Sequence, residues 1–144
     1  MDLRFIEIGT SDGKFSVKVP DDFFSYKPNE SLVLRRNGEG VEYIEFATYA
    51  ADCHVYIEHG TGNVMSGWDI NDLGFANSSI SLFSKCMTAV ASRYPYYAED
   101  AEAEEWIAAR DRLDAVIRSI DPPAADEDTY WSEFTSDVLM GDYS

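Results

Sequence analysis

The hydrophobic periodicity of this 144-residue chain changes once, close to Ser78, and that change limits the folds open to it. Before Ser78, apolar residues alternate with polar ones, which is typical of strands that bury one face. After Ser78, apolar residues recur every three or four positions, which is typical of amphipathic helices. Strands followed by segregated helices predict an α+β fold, with a mostly antiparallel sheet in the N-terminal half packed by three C-terminal helices.

We predict about six strands, which are mostly antiparallel because short turns join them. The clearest hairpin has Gly60 and Gly62 in its turn and returns through a strand that includes Trp68. The segment from 20 to 30 is expected to be a loop, although Phe23, Phe24 and Tyr26 are too apolar to be fully exposed. Residues 71–76 are expected to be an irregular link. The predicted strands are residues 3–8, 15–19, 32–35, 41–49, 54–58 and 64–68.

Three helices are predicted after this link. Asn77 is placed as the N-cap of the first, and Pro95 ends it or lies just beyond it. The second helix covers residues 99–120, with acidic first turns and arginines later, an order that suits the helix dipole. The third follows residues 126–128 and has Gly141 as its C′ residue. The apolar stripe of the first helix is Ile80, Phe83, Met87, Val90 and Tyr94.

The balance of charge excludes several classes of partner. The chain has 27 acidic and 11 basic residues, a net charge of −16, and the acidic excess is concentrated after Tyr97. DNA, RNA and anionic lipid would be repelled, whereas a basic protein would be attracted. The length predicts one domain over residues 1–144. The chain shows no run of 18 apolar residues and no secretory signal, so no membrane span and a cytoplasmic location are expected.

Catalytic and metal-binding patterns are not found in the sequence. The two histidines, His54 and His59, are assigned to a strand and to a glycine turn. Ser78 and Ser79 lack a nucleophile elbow and a partnered base. The run at 126–128 lacks the spacing of a calcium loop. Cys53 and Cys86 form no metal-binding motif and are expected to be free thiols. We therefore predict no catalytic residues, no metal and no cofactor.

The sequence contains, in order, a predicted strand, a glycine turn, a second strand and an F-x-N-S-S-x-x-x-F motif at the start of a helix. This arrangement resembles the SUKH superfamily of bacterial immunity proteins, most closely its fourth family. The likeness covers about half of the chain. The residues that carry it are Gly62, Val64, Phe75, Asn77, Ser78, Ser79 and Phe83, with Trp131 and Gly141 near the C-terminus.

The resemblance implies an immunity protein that binds and neutralises a cognate polymorphic toxin, often one directed at nucleic acid. An acidic monomer would be drawn to the basic active-site cleft of such a toxin and would occlude it. An adaptor of the same fold without an immunity role is the alternative, because fold alone does not determine function. The residues expected to form the acidic rim of the interface are Glu102, Glu104, Glu105, Asp126, Glu127 and Asp128.

Overall fold

The structure is a computed structural model that describes residues 5–9, 16–20 and 25–143. Its main sheet has five antiparallel strands in chain order, and a separate antiparallel pair precedes it. The pair is β1 (Phe5–Gly9) and β2 (Ser16–Pro20). The main sheet is β3 (Lys27–Arg36), β4 (Glu42–Tyr49), β5 (Cys53–Glu58), β6 (Val64–Gly67) and β7 (Gly74–Asn77). The helices are α1 (Ile80–Ala91), α2 (Ala103–Ile120) and α3 (Tyr130–Val138), with a 3-10 turn at Pro122–Ala125.

The predicted α+β class is confirmed, but the prediction of about six strands in one sheet is wrong. The first two predicted strands do pair as a hairpin, yet they form their own sheet, and β2 lies against α1. The main sheet gains β7 from the segment predicted to be an irregular link. It also gains the first residues of β3 from the predicted loop. The side chain of Tyr26, just before β3, is fully buried, whereas Phe23 and Phe24 lie outside the described residues.

Turn chemistry explains the order of strands in the sheet. Between β3 and β4, the side-chain oxygen of Asn37 accepts hydrogen bonds from the amides of Glu39 and Val41. Between β5 and β6, Gly60 and Gly62 take φ values of 104° and 78°, a region that glycine enters without a steric penalty. These turns join neighbouring strands directly, so β3 pairs with β4 and β5 pairs with β6.

The helices pack on the sheet through aromatic side chains that surround Phe83. This α1 residue is fully buried, and its ring centroid lies 5.7 Å from those of Phe46 and Tyr130. Trp131 on α3 contacts the same ring at 6.2 Å. Edge-to-face contacts of this kind add roughly 0.5–1.5 kcal/mol each beyond the burial of apolar area. The apolar stripe predicted for the first helix is therefore the face that packs in the core, and α3 packs on it through Tyr130 and Trp131.

Two helix boundaries differ from the prediction. The second helix begins at Ala103 rather than at residue 99. The chain before it is held elsewhere, because the Tyr97 hydroxyl donates to the Val138 carbonyl oxygen at 2.7 Å and accepts from the Tyr143 amide at 3.0 Å. The first helix ends at Ala91, so Tyr94 lies beyond it. Gly141 has a φ of 83°, two residues after the C-cap Leu139 rather than at C′.

The Asn-Ser-Ser motif is built differently from the expected N-cap. The N-cap of α1 is Ser79, whose side chain accepts from the Leu82 amide, and Asn77 is instead the last residue of β7. The Asn77 amide is fully buried and donates to a carboxylate oxygen of Asp121 at 3.0 Å. Its own oxygen accepts from the Trp131 indole at 2.8 Å. The prediction of Asn77 as the N-cap is therefore wrong, because its side chain satisfies buried groups rather than the start of the helix.

Asp121 completes this arrangement from the end of α2. Its side chain is buried and also accepts from the backbone amide and the hydroxyl of Ser78, both at 2.8 Å. Three donors therefore compensate the cost of burying this carboxylate. Asn77, Ser78, Asp121 and Trp131 form a polar hub that joins the sheet and the start of α1 to the end of α2 and the start of α3.

Candidate partner-binding surface

Trp68 is the most exposed large apolar side chain among the described residues, with 75% of its surface accessible. The sequence prediction placed it within a strand, but β6 ends at Gly67. The loop that follows folds back so closely that a Cβ on Gly67 would lie 3.3 Å from the Asp72 carbonyl oxygen. The Asp69 carboxylate stabilises this loop by accepting from the Asn71 amide at 2.9 Å. The turn directs the indole outward rather than into the sheet.

Two grooves meet at Trp68. The first, which we name the acidic groove, has a volume of about 500 Å³ and lies between α3 and the ends of β5, β6 and β7. The second, which we name the arginine groove, has a volume of about 520 Å³ and opens beside β3, β4 and β5. The acidic groove includes Tyr49, Cys53, Trp68, Asp128, Glu133 and Asp137. The arginine groove includes Arg35, Arg36, Glu45, His54, Trp68 and Asp69.

The carboxylates of the acidic groove lie in an unfavourable environment for negative charge. Glu133 and Asp137 are one helical turn apart on α3. Desolvation raises the pKa of the Glu133 carboxyl and the charge of Asp137 raises it further, while a hydrogen bond with the Tyr49 side chain opposes part of this rise. Desolvation likewise raises the pKa of Asp137, with a smaller contribution from Asp142. A cation placed between these side chains would relieve this repulsion.

The arginine groove contains a charge network that is internally balanced. The Glu45 side chain is only 8% exposed, and its carboxylate lies 3.0 Å from His54 Nδ1 and 3.6 Å from Arg35 Nε. The Asn29 side-chain amide donates to it at 2.9 Å. Arg36 pairs with Glu42 at the rim. Among the described residues that line this groove, none is a serine, threonine or cysteine, so the Glu45–His54 pair has no such nucleophile to activate.

The acids expected to form one rim are all exposed but lie in two places. Glu102, Glu104 and Glu105 are at the start of α2, and residues 126–128 follow its end. The helix has 18 residues and is therefore about 27 Å long. Asp126 has Arg118 Nη1 at 3.9 Å, which offsets part of its charge. Of the six residues, Asp128 lines the acidic groove, where it lies with Glu133 and Asp137.

The remaining motif residues have structural positions. Phe75 is partly buried against the core, and Phe83 is at its centre. Gly62 forms the turn between β5 and β6. A Cβ on Gly141 would lie 2.8 Å from the Trp106 ring, so this glycine permits a close contact between the C-terminal segment and α2. The motif therefore supports the fold rather than the grooves.

Sequence reasoning missed Trp68, Glu133 and Asp137 as candidate contact residues. A signal for Trp68 was present, because it is preceded by glycine and followed by Asp69, both typical of turns. The two acids carry no comparable signal, since their proximity to Cys53 and Trp68 depends on how α3 packs on the sheet.

The described part of the chain has neither a cluster of metal ligands nor a helix suited to a membrane. In residues 5–9, 16–20 and 25–143, no group of three or more His, Cys, Asp or Glu side chains is placed to hold a metal ion. Over the same ranges, no helix has both the length and the apolar character needed to cross a bilayer.

Comparison with known proteins assigns the chain to a family. Residues 37–137 match the family described as SUKH-4 immunity protein, a segment that contains β4 to β7, all three helices, Trp68 and both groove-lining acids of α3. Neither the curated proteins nor the solved structures yield a match. The family match covers well over half of the chain and agrees with the resemblance in the Asn-Ser-Ser motif. The chain therefore belongs to the SUKH-4 immunity protein family.

Proposed function

We propose that this protein binds a cognate polymorphic toxin and neutralises it by covering the toxin's active-site cleft. The family match over residues 37–137 is the observation that supports this proposal most strongly. The surface supports it independently, because the exposed Trp68 lies between two grooves that a partner protein can fill. Occlusion requires no chemistry from the immunity protein, so the proposal includes no enzymatic activity.

We further propose that the toxin acts on nucleic acid. A nucleic-acid-directed enzyme needs a basic cleft for its substrate, and a partner with a net charge of −16 is attracted to such a cleft. Electrostatic steering of this kind can raise association rates to roughly 10⁸–10⁹ M⁻¹s⁻¹ at low salt. Because the nucleic acid of a cell is inside it, the complex would form in the cytoplasm, with the immunity protein acting as a monomer.

The exposed acids of α2 and of the following turn contribute to this steering. Glu104 and Glu105 at one end, and Asp126 and Glu127 at the other, carry charges that solvent leaves available to a distant partner. Charges at the rim of an interface affect the association rate more than the lifetime of the complex. We therefore assign these residues to the approach of the toxin.

The experiment uses any protein encoded by a gene adjacent to that of this chain whose expression alone arrests growth. Co-expression of the two proteins should restore growth, and the purified immunity protein should inhibit nucleic-acid cleavage at equimolar concentration. Cleavage and growth arrest that persist in the presence of a bound immunity protein would contradict inhibition. Absence of binding would favour the adaptor role instead.

A kinetic measurement tests the contribution of charge. The double variants E104K/E105K and D126K/E127K change the net charge equally, so they form a matched pair. At low salt, each should lower the association rate constant by roughly tenfold, with little change in the dissociation rate. The variant E30K/E39K, which reverses two exposed acids outside both acidic regions, is the control. Association that is insensitive to salt and to both variants of the matched pair would contradict electrostatic steering, and a fall in E30K/E39K as large as in that pair would contradict the assignment to these acids.

A further inference from the structure

We propose that Trp68 is the central contact with the toxin and that the acidic groove beside it accepts an arginine or lysine side chain of that toxin. This proposal rests on the proposed function, since it identifies which surface of the immunity protein engages the toxin and what the toxin presents there. It places the strongest contacts on the sheet and α3 rather than at the start of α2.

The exposure of Trp68 is the first argument. Four large apolar side chains are exposed among the described residues, namely Leu34, Trp68, Ile107 and Met140. Of these, Trp68 alone lines a groove described above, and it lines both of them. Tryptophan is among the residues most enriched in the energetic centres of protein interfaces, which are surrounded by contacts that exclude water. An indole between two concave surfaces has this arrangement.

The charge of the acidic groove is the second argument. Asp128 approaches it from the turn before α3, while Glu133 and Asp137 approach from α3 itself, and the described residues that line it include no lysine or arginine. The hydroxyl groups of Ser132 and Ser136 add acceptors along the same wall. A guanidinium or ammonium group from the partner would therefore meet several acceptors in a partly desolvated site.

The arginine groove does not offer an equivalent site for an acidic side chain. Arg35 lies near the buried Glu45, and Arg36 is paired with Glu42, so both cations already have carboxylate neighbours. The two sides of Trp68 therefore differ: the described lining of one includes three acids and no lysine or arginine, whereas the charges of the other are nearly balanced. This asymmetry favours a toxin surface with an apolar pocket for the indole and a basic residue on the side that faces α3.

The test measures binding of the same toxin by calorimetry and by surface plasmon resonance. W68A should raise Kd on the order of 30-fold or more, which is the effect of an interface hot spot. E133Q/D137N should raise Kd by roughly tenfold, mainly through faster dissociation, because a partly desolvated contact is lost. M140A removes an apolar side chain that is 70% exposed, and E30Q/E39Q removes two exposed charges outside both acidic regions. Both controls should leave dissociation within about twofold of the original protein.

Hydrogen exchange on the unsubstituted complex gives an independent measurement. Protection should appear in residues 65–74 and 128–137, whereas protection confined to residues 99–108 would overturn the proposal. Binding of W68A that equals that of the unsubstituted protein would also overturn it while leaving the immunity function intact. If the unsubstituted protein does not bind, the proposed function fails and this inference fails with it. A dimer of this chain that W68A dissociates would show that Trp68 serves self-association instead.

Discussion

Asn77 contributes to two buried pairings at once. Its amide nitrogen donates to Asp121, and its oxygen accepts from the Trp131 indole. Each of these groups is buried, so neither can exchange its partner for water. A buried polar group left without a partner costs about 1–3 kcal/mol. The contribution of Asn77 to stability therefore comes mainly from what would be left unsatisfied without it.

Replacement of Asn77 by alanine should lower the free energy of unfolding by about 2–4 kcal/mol, because it removes a donor from Asp121 and the acceptor of Trp131. Urea unfolding followed by tryptophan fluorescence measures this change. The control is Asn71→Ala, which removes an exposed hydrogen bond from the Gly38 amide and should cost no more than about 1 kcal/mol. Equal losses in the two variants would contradict the importance of burial.

The two cysteines should differ in reactivity. Both are free, but Cys86 is fully buried, and this burial raises the pKa of its thiol to about 11. At pH 8, only about 0.1% of such a thiol is the reactive thiolate. Cys53 is partly accessible at the acidic groove. Ellman's reagent should therefore label Cys53 in the folded protein and Cys86 only after unfolding.

The C53S variant is the control for this prediction, since only Cys86 remains in it. Fast labelling of the folded variant would contradict the buried position of Cys86.

The raised pKa of the Cys86 thiol also has a consequence for stability. The thiol of the unfolded chain has a pKa near the ordinary value of 9.0, whereas the folded thiol has a pKa of about 11, so stability should fall as the pH rises through this interval.

At the scale of elements, the contact between the C-terminal segment and α2 depends on Gly141. Its φ of 83° is unfavourable for other residues, and an added Cβ would lie 2.8 Å from the Trp106 ring. Gly141→Ala should therefore lower the free energy of unfolding by about 2–3 kcal/mol, from backbone strain and overpacking together. Thermal or urea unfolding measures the loss.

Gly62→Ala is a matched control for this substitution. Gly62 has a similar φ of 78°, but a Cβ there would have no heavy atom within 4 Å. Its replacement by alanine should lower the free energy of unfolding by only about 1 kcal/mol, because backbone strain is the sole penalty. If the two alanine variants lose the same stability, then the contact with Trp106 contributes nothing.

The elements that could be predicted are those with a regular local pattern. The hairpin of β5 and β6 follows from alternation and a glycine turn, and the helices follow from their apolar stripes. In contrast, β7 could not be predicted, because it has four residues and its polar Asn77 side chain points into the core. The start of β3 contains Pro28 and Asn29, which are typical of loops, and its pairing with β4 shifts register at this point.

The acidic groove was harder to predict than the fold. Its wall combines Cys53, Trp68 and Asp137, which are far apart in sequence and meet only when α3 packs beside the sheet. The acidic residues at the start of α2 were conspicuous because they are clustered in sequence, whereas those of the groove are few and separated. The number of acidic residues in a short stretch of sequence therefore does not predict which carboxylates lie together on the surface.

At the scale of the whole molecule, the net charge of −16 has opposite effects on stability and on binding. Repulsion among the acids destabilises the compact state, and salt screens it. We expect Tm to rise by about 2–5 °C between low and physiological ionic strength, a shift that corresponds to roughly 1 kcal/mol. Calorimetry in NaCl and in KCl should give the same shift, and a Tm that falls with either salt would contradict the prediction. Association with the toxin should slow over the same range.

The polar hub constrains how sequences of this kind can diverge. Asn77 serves Asp121 and Trp131 together, so a change at any one of these positions leaves a buried group without its partner. Among descendants of a common ancestor, these three positions are expected to be retained or to co-vary. Trp68, Asp128 and Glu133 are exposed and satisfy no buried group of the hub. Diversification against new toxins can therefore proceed on that surface while the interior stays unchanged.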